Sequence, residues 1–412
     1  MNQSMNLAAA SRCVRCGICK TQCPTYLTTH NETMGARGRV AMLGEMGMKR
    51  LAPTGTLAAM IFSCMLCGAC KNLCPTGINI PELMYQGRAL LKDSYGRGRL
   101  YRKALKVSLS RVDVVFALLR GCQKLFYRPL HRAGIVEYIP EIAATPFKQN
   151  IQVYKNIKKT GRIAIFAGCS VNYFYPRLGD ALSRIMLSKG YEVVVFRGEV
   201  CCGAPFRSMG LEKEALKLAE RNIEHFNKVR SEAIISMCPT CTMVMREQYP
   251  SLTGKSITNI MDVNEFLVTY NMATDLETDP TAITYHDPCH LSYGLSIRDK
   301  PRDILKSVKG IEFVELKHAD ECCGFAGLFS MQFKNIAKTI GRKKIKHISD
   351  TKAETVVTSC PGCIMQLEAL KRETRSKFKI KHIVEVIDEA MHGQSAGGHP
   401  GKRGDAPEID FE

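Results

Sequence analysis

The sequence predicts a multidomain protein of combined α+β and α/β class, with a small helical unit rich in cysteine followed by two units built on parallel sheets. Three observations lead there. Cys13, Cys16, Cys19 and Cys23 recur 51 residues later as Cys64, Cys67, Cys70 and Cys74. Cys169, Cys201, Cys202, Cys238 and Cys241 recur 120 to 122 residues later as Cys289, Cys322, Cys323, Cys360 and Cys363. Around that second set, short apolar runs alternate with helical patterns, as a parallel sheet with crossover helices requires. At 412 residues the chain has room for two or three cores.

The first element spans residues 1–95. Cys13-x2-Cys16-x2-Cys19-x3-Cys23-Pro24 and Cys64-x2-Cys67-x2-Cys70-x3-Cys74-Pro75 are both C-x2-C-x2-C-x3-C-P runs. Three thiolates spaced by two residues wrap three corners of a 4Fe-4S cubane. The fourth, expected to be turned away by a helix after the proline, ligates the other cluster in two-cluster ferredoxins. One cubane is therefore expected on Cys13, Cys16, Cys19 and Cys74, and the other on Cys64, Cys67, Cys70 and Cys23. Gly17 and Gly68 let the backbone approach the sulfurs. Zinc, which favours paired C-x2-C units or Cys/His mixtures, fits these runs poorly.

Residues 96–160 read as a basic helical connector with a lone cysteine, Cys122, expected to be structural. Val107 to Phe126 is apolar but broken by Arg111, Asp113, Arg120 and Lys124, so it reads as an amphipathic helix rather than a span. Packing on its own protein is the plainer reading, and contact with a membrane surface or partner is the other. The start, Met1-Asn2-Gln3-Ser4-Met5, has no basic region followed by an apolar one. With 19 cysteines, that points to the reducing cytoplasm and to metal ligation rather than disulfides. The formal charge of +19 is offset in part by bound anionic clusters. What remains suits an acidic partner or an anionic membrane. Nucleic-acid binding is not expected, because the basic runs lack interleaved aromatics.

Residues 161–275 and 276–392 are the two repeats. In the first, strands are expected at Arg162 to Ala167, Glu192 to Phe196 and Ala233 to Met237, with helices from Pro176 to Lys189 and Leu211 to Arg230. In the second, strands are expected at Ala282 to Tyr285, Phe313 to Leu316 and Thr355 to Thr358. Every cysteine of the repeats follows a strand end, the edge where parallel sheets bind ligands. Five thiols per repeat could thus converge on one cofactor. His286, His290 and His318 flank the second set, and either packing or a hydrogen bond to a cluster would account for them. Arg342 to His347 reads as a solvated helix face. Residues 393–412, rich in Gly, Pro and charge, read as a disordered tail.

The spacing Cys-x31-Cys-Cys-Gly-x34-Cys-x2-Cys, repeated as Cys-x32-Cys-Cys-Gly-x35-Cys-x2-Cys, resembles the CCG domains of heterodisulfide reductases. Two ferredoxin motifs followed by two CCG domains resemble the iron–sulfur subunit of glycolate and D-lactate dehydrogenases, and also the D-type subunit of heterodisulfide reductase. Met34 to Arg39, Cys74 to Ile78 and His286-Asp287-Pro288-Cys289-His290 agree with that resemblance. It implies a helical two-cluster ferredoxin-like domain and two pseudo-symmetric α/β CCG domains with parallel sheets. It also implies one or two non-cubane 4Fe-4S clusters, on Cys169, Cys201, Cys202, Cys238 and Cys241 and on Cys289, Cys322, Cys323, Cys360 and Cys363. A vicinal disulfide or plain thiols at Cys201-Cys202 and Cys322-Cys323 is the alternative.

The function implied is electron transfer from a flavoprotein dehydrogenase subunit to a quinone or membrane-associated acceptor, in the cytoplasm or at the inner face of its membrane. Neither Gly-x-Gly-x-x-Gly nor a Gly-x4-Gly-Lys-Ser/Thr phosphate loop is present, so FAD is expected on the partner. Both CCG sets are complete, which keeps open the alternative of a catalytic disulfide reductase.

Overall fold

A computed structural model describes residues 7–110, 112–132, 140–150, 153–154, 160–196 and 198–393. The tail expected beyond Gly393 lies outside them.

The N-terminal unit is helical, with helices Pro24–Thr29, Ala36–Gly47, Gly55–Phe62 and Ile80–Leu91. Their starts are written locally. Thr54 accepts the Leu57 N–H at 3.2 Å and Asn79 accepts the Glu82 N–H at 3.3 Å, the side-chain caps that free helix N-termini need. Leu43, Ile61, Met84 and Leu91 fill the core between them. One expectation fails here. A helix follows Pro24, but Pro75 opens a turn and the next helix starts at Ile80. Gly77 at φ +66° turns the chain before that start.

Two helices, Arg99–Ser110 and Val112–Arg132, form the connector. One face packs on its own protein. Phe116 stacks on Tyr173 with ring centroids 3.9 Å apart, and the Tyr173 hydroxyl donates to Asp113 at 2.6 Å. The other face leaves Leu100, Val107, Leu118 and Leu125 between 62% and 75% exposed. Cys122 is also exposed, which corrects its expected structural role.

The first sheet comprises β1 (Val153–Tyr154), β2 (Gly161–Phe166), β3 (Tyr191–Val195), β4 (Ala233–Ser236) and β5 (Ile260–Asp262), in the order β1-β3-β2-β4-β5. All pairs are parallel except β1 with β3, so this sheet is mixed rather than wholly parallel. The second comprises β6 (Glu277–Tyr285), β7 (Lys309–Phe313), β8 (Thr355–Thr358) and β9 (Lys379–His382), all parallel in the order β7-β6-β8-β9. With β1 set aside, β3-β2-β4-β5 and β7-β6-β8-β9 follow the same order. Fully buried runs such as Ala233–Ser236 are what central parallel strands require.

The strand expected from Phe313 to Leu316 lies instead at Lys309–Phe313. As an edge strand with exposed positions it needs no continuous apolar run.

The two sheets share one core in which Ile165, Ile235, Ile283 and Val357 all take part. Helix Ile383–His392 of the second repeat lies on helix Pro176–Ser188 of the first, where Arg184 Nε donates to Asp388 at 3.1 Å. The His382 Nε2–H also donates to Met237 O at 3.1 Å, tying β9 to the end of β4.

Candidate functional site

All 19 cysteines are free thiols, with no disulfide between Cys201 and Cys202 or between Cys322 and Cys323. The structure gathers 18 of them and leaves only Cys122 apart. In the helical unit, Gly17 and Gly68 adopt φ of +86° and +89°, the left-handed turn that folds each cysteine run back on itself. One cavity is lined by Cys13, Cys16, Cys19 and Cys74. A second is lined by Cys64, Cys67, Cys70 and Cys23. Each cavity takes three sulfurs from one run and the fourth from the other.

The thiols around these cavities are poised unequally. Burial, reinforced by the neighbouring Cys13 and Cys23 sulfurs, pushes Cys19 up to about 11. Burial raises Cys67 and Cys70 well above the ordinary thiol value. Burial acts the same way on Cys74 but is outweighed by hydrogen bonds from Thr76 and from backbone N–H groups, so that its value is lowered. Buried thiols crowded together and short of counter-charge gain most when a metal takes their protons.

Two cations missed from the sequence serve this region. Arg39 is buried, lines the second cavity, and donates to Met60 O at 2.9 Å, Thr25 at 3.1 Å and Ser63 at 2.8 Å. Arg88 is buried and donates to Phe62 O at 3.1 Å and to Cys64 O. The only signal for Arg39 was its place in the segment Met34 to Arg39. Arg88 gave none, since a basic residue on a helix is read as solvated.

In the sheet units each cysteine follows a strand end. Cys238 and Cys360 stand two residues past β4 and β8 and cap the helices that begin at Pro239 and Pro361. Gly203 and Gly324, at φ +93° and +91°, follow the vicinal pairs. A Cβ on Gly324 would lie 2.3 Å from Ala337 O, so no other residue fits there.

The ten sulfurs form one ladder of thiol contacts. It runs from Cys169 to Cys201, Cys202, Cys241 and Cys238, crosses to Cys360, and continues through Cys363 and Cys323 to Cys322 and Cys289. Cys323 and Cys363 lie 3.4 Å apart. Thiol hydrogen bonds from Cys201 and Cys241 hold Cys202 down to about 6, and those from Cys238 and Cys363 hold Cys360 down to about 5. This donor chemistry, all sulfur and largely buried, fits iron–sulfur centres.

The three histidines part company. His318 is exposed beside His347 and Glu321. His290 is buried, and its Nε2–H donates to Leu66 O at 3.1 Å while Thr240 lies 2.8 Å from Nδ1. His286 is buried against Cys323 and Cys363. Arg342 and Lys343 pair with Glu373 and Glu321 on the helix surface as expected, but Lys344 is buried and donates to Ala319 O at 3.2 Å. That corrects the reading of Arg342 to His347 as wholly solvated.

The cysteine-rich domain model matches residues 163–246 and 283–368, and the 4Fe-4S dicluster domain model matches residues 9–78. The chain is 27% identical to the probable glycolate oxidase iron–sulfur subunit of Bacillus subtilis, across 92% of this chain and 93% of that one. It is 31% identical to lactate utilization protein A of Oceanobacillus iheyensis, across 56% of this chain and 98% of the relative. It is 25% identical to the D-type subunit of the dihydromethanophenazine:CoB--CoM heterodisulfide reductase of Methanosarcina barkeri, across 94% and 95% of the two chains. With two cysteine-rich domains behind a dicluster domain, the chain belongs to the CCG-domain family of iron–sulfur oxidoreductase proteins, alongside glycolate oxidase iron–sulfur subunits, lactate utilization protein A and the D-type subunits of heterodisulfide reductases.

Proposed function

We propose that this chain is the electron-transfer subunit of a flavin-dependent 2-hydroxyacid dehydrogenase acting on glycolate or D-lactate. It takes electrons from a flavoprotein partner that holds the FAD and delivers them to a quinone or another carrier. The observation that carries this reading is the unbroken series of sulfur sets. It begins at the cavity of Cys13, Cys16, Cys19 and Cys74, where Cys16 is exposed. The cavity of Cys64, Cys67, Cys70 and Cys23 comes next. Cys67 then lies within electrostatic reach of Cys289, and the ladder crosses at Cys360 and Cys238 to the first sheet unit. Iron–sulfur centres bound there would supply one-electron steps. The protein's own part is to space, bury and charge-balance them.

On this reading the cubanes sit on Cys13, Cys16, Cys19 and Cys74 and on Cys64, Cys67, Cys70 and Cys23. Non-cubane centres take the two five-cysteine sets. The domains run 1–95, 96–160, 161–275 and 276–392, with a tail over 393–412 and the two sheet units related by pseudo-symmetry. Val14 and Ile18, exposed beside Cys16 and flanked by Arg15 and Lys20, suit an acidic rim on the donor. No helix among the described residues is long and apolar enough to cross a membrane. The exposed leucines of the connector, among Lys103, Lys106 and Lys124, support peripheral contact with an anionic inner membrane face.

A second reading, reduction of a thiol disulfide by this chain itself, is favoured by the completeness of both five-cysteine sets and by their direct contact. Anaerobic purification with partners separates the two. Co-purification of a flavoprotein, and bleaching of the iron–sulfur absorbance by glycolate or D-lactate, supports the first. Disulfide reduction by the isolated, iron-loaded chain, with no response to hydroxy acids in the complex, overturns it in favour of the second.

A further inference from the structure

The two five-cysteine sets differ at one buried position. Phe166 stands three residues before Cys169, and His286 three before Cys289, an offset of 120 in both cases. Phe166 ends β2. His286 follows Tyr285, the last residue of β6, and its N–H donates to Val357 O at 2.9 Å. Phe166 is fully buried and packs in one apolar cluster with Cys202, Cys238 and Cys241. His286 is 1% exposed, and its ligand nitrogen and the sulfurs of Cys323 and Cys363 all lie within 4.8 Å of one another. Cys323 and Cys363 are the counterparts of Cys202 and Cys241. A phenyl ring at the first site is thus replaced by an imidazole in the same place at the second.

Neither Nδ1 nor Nε2 of that imidazole makes a hydrogen bond of good geometry with any described residue, and its electrostatic partner is the Cys323 sulfur, which it helps to hold low. A buried polar ring without partners is destabilising relative to a satisfied one. The first site shows that an apolar ring fills the same position. Nothing in the packing of the first site therefore calls for nitrogen at this position, and at the second site the ring nitrogen lies against the thiols of Cys323 and Cys363.

We propose that His286 presents an imidazole nitrogen to the centre held by Cys289, Cys322, Cys323, Cys360 and Cys363, as the single non-thiolate donor of that site, and that the two CCG sites are therefore chemically unequal. This rests on the reading of those cysteines as iron ligands. Imidazole is neutral where thiolate is anionic, and histidine in place of cysteine raises the potential of an iron–sulfur centre. The second site is accordingly expected to be reduced before the first.

The test uses anaerobically purified full-length protein. Iron and acid-labile sulfide are counted first, and pulsed electron paramagnetic resonance is then recorded with and without 15N-histidine. The expected result is a nitrogen coupling on one of the two CCG-site signals. It should change on labelling, vanish in His286→Phe and persist in His318→Gln. Phe166→His should create a second such coupling, and this variant carries the test if His286→Phe does not fold. CCG-site signals without nitrogen coupling, or a coupling that survives His286→Phe, would overturn the proposal. Iron and sulfide sufficient for the cubanes alone would instead overturn the reading of the site on which it rests.

Discussion

The Nε2–H of His290 donates to the main-chain oxygen of Leu66 at 3.1 Å. Because a carbonyl only accepts, this fixes the tautomer and leaves Nδ1 to accept from the Thr240 hydroxyl at 2.8 Å. One imidazole thereby ties the second cysteine run to both sheet units. Replacing His290 with Ala removes two buried hydrogen bonds and leaves a void, for an expected loss of about 2–4 kcal/mol. Chemical denaturation of the holoprotein measures it. Electron flow from the cubanes to the CCG sites should slow in the same variant, because Cys67 and Cys289 are no longer held in register.

The exchange of fourth cysteines between the two runs predicts a pattern of shared losses. Cys74→Ala should abolish the same cubane signal as Cys13→Ala, and Cys23→Ala the same signal as Cys64→Ala. Each variant should lose about four irons. Electron paramagnetic resonance with iron analysis reads both outcomes. If Cys74→Ala and Cys64→Ala deplete one common centre, each run ligates its own cluster and the assignment is wrong.

Arg39 carries a buried positive charge on the wall of the cavity of Cys64, Cys67, Cys70 and Cys23. A cation favours the more negative, reduced state of a nearby centre. Arg39→Gln should therefore move that centre's midpoint to more negative potential, on the order of 60 mV, equivalent to about 1.4 kcal/mol for one electron. Arg39→Lys should recover most of the shift. Redox titration followed by electron paramagnetic resonance decides.

Asp262 caps helix Val263–Thr269 from full burial, accepting the Asn264 N–H at 2.9 Å. Burial pushes its carboxyl up from 3.8 to about 7, against the opposing hydrogen bonds from Asn264. The folded state thus holds this proton more tightly than the unfolded chain. Between about pH 4 and pH 7 this group makes stability fall as pH rises, by up to about 4 kcal/mol in total. Asp262→Asn should flatten that slope and raise the melting temperature at pH 8 relative to the parent, with little change at pH 4. Thermal denaturation of both proteins across the range tests the sign.

The exposed leucines of the connector predict vesicle binding. The full chain should float with vesicles containing anionic lipid and not with neutral ones. Leu118→Glu combined with Leu125→Glu should cut the bound fraction at least tenfold without changing iron content. Equal flotation of parent and variant would assign that face to a protein partner.

Much of this architecture was legible because its punctuation is chemical. Constant cysteine offsets exposed both duplications, and runs such as Ala233–Ser236 and Thr355–Thr358 announced central strands directly ahead of their cysteines. β5 and β9 were not legible. Ile260–Asp262 is three residues long, and Lys379–His382 alternates charge with apolar residues as an outer strand does, so neither stands out from its surroundings. Arg39, Arg88 and Lys344 were hidden for a different reason. Each is buried against main-chain or hydroxyl oxygens that the fold brings from elsewhere in the chain, and no local pattern encodes that. Sequence could place His286 near the second cysteine set, but not show that its ring lies against sulfur while its first-repeat counterpart is phenyl.

The seam where Cys238 meets Cys360 also bears on how the protein matures. Cys202, Cys238, Cys241, Cys322, Cys323, Cys360 and Cys363 are all buried, and helix Ile383–His392 closes across Pro176–Ser188 only after the last of them has been synthesised. Of the ten thiols of the two sheet units, Cys169, Cys201 and Cys289 alone are partly exposed. A seam buried this deeply is completed by the last helix of the chain, so truncation before Ile383 is expected to leave it open.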